Sequence, residues 1–129
     1  MKYLTHYTEE AVTELLRKTG AFFAFGNAQF EEKQVEGVTY CSLGAGMICP
    51  RDNAQELVDG LENITLAGIQ KDLEENGRAA VIRRELFNHE CFYVGSIEGA
   101  VDALAPYGIS EQEVKTIYSH ILSTEDNLF

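Results

Sequence analysis

The densest run of chemistry-bearing side chains is Arg83-Arg84-Glu85-Leu86-Phe87-Asn88-His89-Glu90-Cys91. Glu85 and His89 stand four apart, so on a helix they share a face. Such a pair can act as base and orienter, or as two ligands of a metal. Arg83 and Arg84 beside them could hold an anionic small molecule, with Glu85, His89 and Glu90 completing a ligand site or the site of a small enzyme. The simpler reading needs no ligand. Glu85 and His89 then make a helix-surface ion pair, the arginines pair with nearby acids, and Cys91 opens a buried strand.

Other candidate chemistry is weaker. Cys41, Cys49, His89 and Cys91 have the right types for zinc, but no two ligands are spaced as in a knuckle or finger. No cysteine carries the local signature of a thiol enzyme, and buried free thiols are usually inert. Gly44-Ala45-Gly46 lacks the third glycine of a dinucleotide fingerprint and the Gly-Lys-Ser/Thr of a phosphate loop, so it reads as a tight turn. The sequence therefore assigns no catalytic residue, no metal and no cofactor.

The charge is more decisive. The chain has 129 residues, with 21 acids against 10 Lys and Arg, a net charge of -11. Such a surface repels phosphate backbones and anionic membranes and attracts basic proteins. The excess is uneven. Residues 52–75 hold seven acids and one Lys, residues 85–129 eight acids and one Lys, and residues 76–84 only Arg78, Arg83 and Arg84. Glu56, Asp59, Glu62, Asp72, Glu74 and Glu75 are the candidate partner-binding residues, carried by a long helix on which Glu56, Asp59, Glu62 and Asp72 mostly lie outside the apolar arc.

These groups need elements to hold them. The pattern predicts a helix over 9–18 capped by Thr8, a buried aromatic strand over 21–25, and one or two helical turns over 28–33. Strands follow at 38–43 and 47–49 around the glycine turn. A long helix then runs from Asp52 or Asn53 to about Glu75, stopped by Asn76-Gly77. A helix over 78–90, a short β-prone run over 91–94, and a helix from Ser96 to Leu104 come next. Ser110 and Glu113 form a capping box for the last helix. The polar end, 123–129, is expected to fray. Both faces of the aromatic strand need cover, one from the long helix and the other from a second protomer, hence a possible homodimer.

The expectation is one α+β domain over 1–129, a small antiparallel sheet from the first half packed against a mainly helical second half. No run of 18 apolar residues and no secretory leader pattern occur, and the odd cysteine count suits reduced thiols in a cytoplasm.

Ala21-Phe22-Phe23-Ala24-Phe25 with Gln29-Phe30, Gly44-Ala45-Gly46 leading to Cys49-Pro50, Glu75-Asn76-Gly77, and Arg84-Glu85-Leu86 before Asn88-His89-Glu90 form a further pattern. From about Gly20 to Tyr118 the chain resembles an uncharacterised family of small proteins encoded by phages and prophages. The resemblance implies a bacterial host cytoplasm and carries no activity or catalytic residues. With the charge, it leads to an expected non-enzymatic acidic protein. That protein would inhibit or modulate a basic host partner, nucleic-acid-binding or defensive, by charge mimicry, without contacting nucleic acid or membrane itself. A ligand-binding protein or small enzyme at Arg83/Arg84/Glu85/His89, and a homo-oligomeric accessory protein, are the alternatives.

Overall fold

The computed structural model describes residues 2–125. Its elements run α1 (Leu4–Thr19), β1 (Phe22–Phe23), α2 (Asn27–Lys33), β2 (Tyr40–Ser42), β3 (Met47–Pro50), α3 (Ala54–Asn76), α4 (Arg78–Asn88), α5 (Cys91–Val94), α6 (Glu98–Leu104) and α7 (Glu111–Thr124). Single 3-10 turns occupy Arg51–Asn53 and Ala105–Tyr107. The class is α+β, as the pattern predicts. The chain divides into two compact units, Thr8–Ala67 and Met1–Tyr7 with Gly68–Phe129, and it passes from one to the other within α1 and within α3.

In the unit Thr8–Ala67 the three strands form an antiparallel sheet in the order β1-β3-β2. The β2–β3 turn has three successive left-handed residues, Gly44, Ala45 and Gly46. Only glycine takes that conformation without strain, which explains two of the three residues. The Leu43 N–H donates to the Met47 carbonyl at 2.9 Å and closes the hairpin. On one sheet face Phe22, Phe30 and Tyr40 pack as an aromatic cluster, with centroids 5.4–6.2 Å apart. Phe30 is on α2, so the Phe22 face of β1 is covered from within this chain. Phe23 and Phe25 stack on each other at 6.3 Å and remain exposed.

In the other unit the core gathers Ile82, Leu86, Phe92, Leu104, Val114 and Ile121 from α4 to α7. Gly77, with φ +80, separates α3 from α4, and Ser110 caps α7 by accepting from the Glu113 N–H at 3.2 Å. The Glu113 carboxylate bonds Arg78 across the fold, so the capping box is filled from one side.

Three expectations need correction. Helix α1 begins at Leu4, not after Thr8. His6 Nδ1 accepts from the Tyr3 N–H at 2.8 Å, which satisfies the donor before the first turn. Residues 91–94 form a helical turn rather than a strand. A strand would point Cys91 and Phe92 to opposite faces, whereas the turn buries both. Left-handed Glu90 (φ 52) and Gly95 (φ 72) bound it. Ser123 and Thr124 belong to α7, and Glu125 bonds Arg83. Residues 126–129 of the expected frayed end lie outside the described residues.

Candidate functional site

The acidic residues of α3 differ in what they offer a partner, because the helix surface decides which of them it can reach. In the unit Thr8–Ala67, Glu56, Asp59 and Glu62 are exposed. Glu56 pairs with Lys18 of α1 at 3.1 Å, and Asp59 accepts from Gln55 at 2.8 Å. Val58 and Leu66, each one turn from Glu62, are also exposed, at 46% and 54%. This stretch of α3 therefore presents carboxylates with two apolar side chains among them. In the other unit, Glu74 and Glu75 are exposed, with Glu74 accepting from Gln70 at 3.2 Å.

Asp72 departs from the expected set. It is fully buried and belongs to no exposed face. Its Oδ1 accepts from Arg84 Nη1 at 2.9 Å and from Asn76 Nδ2 at 2.8 Å, and its Oδ2 accepts from the Tyr107 hydroxyl at 2.6 Å. Burial alone would raise its carboxyl pKa. The bonds from Arg84, Tyr107 and Asn76 outweigh that and hold it below the ordinary carboxylate range. The helix places it there: Ile69, Asp72, Leu73 and Asn76 share one face of α3.

The Arg83–Glu90 run resolves into separate parts. Arg84 is buried, and its guanidinium is spread over Asp72, Glu85 (2.7 Å), the Lys2 carbonyl (2.9 Å) and the Tyr107 hydroxyl (3.3 Å). Burial works against its charge, but the bonds to Asp72, Glu85 and Tyr107 prevail and raise its pKa. Burial and the adjacent Asp72 likewise raise the Tyr107 phenol. The other oxygen of Glu85 lies 3.7 Å from His89 Nε2, beyond hydrogen-bond distance, and Glu85 is buried against Arg84 rather than paired on the helix surface. Arg83 faces outward, bonded to Glu125 and lying over the Phe87 ring at 4.9 Å. Glu90 is exposed and serves α5 through its left-handed backbone. Arg78 bonds Glu113 at 2.7 Å. All three arginines of the basic island are thus paired with carboxylates of this chain.

Sequence reasoning missed Tyr107, Asn76 and Tyr7, whose hydroxyl accepts from Asn76 at 3.0 Å. The available signal was a polar residue inside an apolar arc: Asp72 sits three residues after Ile69 and next to Leu73. Among the described residues, no buried side-chain nitrogen or oxygen lacks a hydrogen-bond partner. No three His, Cys, Asp or Glu residues among them gather in a way that could hold a metal ion. The three cysteines are free thiols; Cys49 and Cys91 are buried and Cys41 is partly exposed. No described helix is long and apolar enough to cross a membrane.

Compared with known proteins, residues 4–124 match the description "Family of unknown function (DUF7659)". No curated protein and no solved structure matches the chain.

Proposed function

The chain belongs to the DUF7659 family of unknown function, and from that premise we propose that it is a non-enzymatic binding protein that engages a basic surface on a partner protein. The observation that carries this reading is the exposed stretch of α3 holding Glu56, Asp59 and Glu62 with Val58 and Leu66 between and beside them. Carboxylates steer a basic partner and select it, while desolvated apolar side chains supply the affinity. The unit that contains this stretch has ten acids against four bases, so its field points the same way.

The pairing of Arg78, Arg83 and Arg84 with Glu113, Glu125, Asp72 and Glu85 favours this reading over an anion-binding pocket at the same arginines. A free anion would have to displace carboxylates that are already bonded. The finer proposal is that the chain is phage-encoded, acts in a host cytoplasm, and inhibits a nucleic-acid-binding or defence protein by occupying its phosphate site. It rests on the sequence resemblance and the charge, and neighbouring genes of phage or anti-defence type would support it.

The test is capture of a basic partner by wild type and by the triple variant Glu56→Gln/Asp59→Asn/Glu62→Gln. The partner should bind wild type, leave at moderate salt, and fail to bind the folded variant. Equal retention by both proteins, unchanged at high salt, would overturn the reading.

A further inference from the structure

Cys41 and Cys49 are directly opposed on β2 and β3. The ladder fixes what kind of pair they are. The Leu43 N–H donates to the Met47 carbonyl at 2.9 Å, and the Arg51 N–H donates to the Thr39 carbonyl at 2.8 Å. Hydrogen-bonded pairs alternate along an antiparallel ladder, so Cys41 and Cys49, midway between those two pairs, form a third. Their side chains project from the same face of the sheet. Opposed residues of this kind have Cα atoms about 5.5 Å apart. That falls inside the span of about 4.4–6.8 Å that a disulfide bridges.

We propose that Cys41 and Cys49 form a reversible thiol–disulfide pair, with Cys41 as the attacking thiol, Cys49 as the resolving thiol, and a low-molecular-weight disulfide of the glutathione class as the oxidant. The partly exposed Cys41 thiolate attacks one sulfur of the oxidant, forming a mixed disulfide and releasing one small thiolate. The Cys49 thiolate then attacks the Cys41 sulfur, forming the protein disulfide and expelling the second. The two protein thiols lose two protons and two electrons, and the oxidant takes them up as two small thiols.

Burial, followed by the neighbouring Cys41 sulfur and Glu56, pushes the Cys49 thiol pKa up. Closure is therefore slow near neutrality and speeds up by about tenfold per pH unit while Cys49 remains mostly protonated. Cβ atoms of a hydrogen-bonded pair stand about 5.5 Å apart, whereas a relaxed disulfide wants about 3.8 Å. The bridge must draw the strands together, which makes it readily reduced again. It would tie β2 to β3 below the Gly44–Gly46 turn, where the Phe25 ring rests against Gly46. Cys91, buried in the other unit with a thiol pKa raised by burial, is an internal control.

The test treats the whole chain with oxidised glutathione, then denatures it and counts alkylatable thiols. The count should fall from three to one. The tryptic peptide spanning residues 34–51, which contains both cysteines, should lose two hydrogens, and dithiothreitol should restore it. Cys49→Ala should stop at a glutathione adduct on Cys41, and Cys41→Ser should leave Cys49 unmodified. Three free thiols in wild type, a persistent Cys41 adduct, or a bridge between two copies would each overturn the proposal.

Discussion

Asp72 Oδ1 and Arg84 Nη1 meet at 2.9 Å where neither residue has appreciable access to solvent. Twelve residues apart, on α3 and α4, they anchor a network that also holds Glu85, Tyr107 and Asn76. Because both charges are desolvated, removing one partner costs far more than the pair's net contribution.

Asp72→Ala should therefore lose about 3–5 kcal/mol of stability, since it strands the Arg84 charge in the interior. The double variant Asp72→Leu/Arg84→Met should lose less than Asp72→Ala alone. Urea denaturation of both proteins measures this. A loss below about 1 kcal/mol for Asp72→Ala would mean that Arg84 relaxes to solvent or is held by Glu85 alone.

Stability should decline at both ends of the pH scale through the same network. The Asp72 pKa is lower folded than unfolded, so its contribution is complete above the ordinary carboxylate pKa of about 4 and disappears as pH falls below it. The Tyr107 pKa is higher folded than unfolded, so its contribution is complete below about pH 10 and disappears as pH rises beyond it. Thermal melts of wild type and Tyr107→Phe across pH 8–11 check the alkaline arm. Identical slopes above about pH 10 would exclude Tyr107 as its source.

Gly46 combines a left-handed backbone, φ +79, with a ring against its α-carbon. A Cβ there would stand 2.7 Å from Phe25 Cζ and 2.8 Å from Cδ1. Gly46→Ala should cost about 1–2 kcal/mol from the backbone alone, plus the displacement of Phe25. In a Phe25→Ala background the backbone cost should remain and the steric part should vanish. A double-mutant cycle in urea measures the difference, and equal costs in both backgrounds would remove the ring from the argument.

The parts of the fold legible in the sequence are those set by local chemistry. Gly77 and the Ser110 cap are read correctly because each acts within a turn of its own position. The Gly44–Gly46 turn and its flanking strands are legible for the same reason. Residues 91–94 are misread because four apolar residues fit either period, and only burial of both Cys91 and Phe92 decides for a helical turn. In the candidate site, Glu56, Asp59 and Glu62 are exposed as expected, whereas Glu85, one turn from His89 as the spacing requires, is buried and bonded to Arg84. Asp72 could not be placed from charge alone. Its partners Arg84 and Tyr107 lie 12 and 35 residues further along the chain, and only their convergence makes a buried carboxylate tolerable.

The Lys2 carbonyl accepts from Arg84, a residue 82 positions later, and the unit that contains both is interrupted in sequence by Thr8–Ala67. On a ribosome this imposes an order of events. At about 5–20 residues per second, the whole of Thr8–Ala67 leaves the exit tunnel before Arg84 is available to meet Lys2. The sheet and its covering aromatics can assemble while translation continues. Lys2 emerges seconds before Arg84, so the bond between them closes only after all of Thr8–Ala67 has been synthesised.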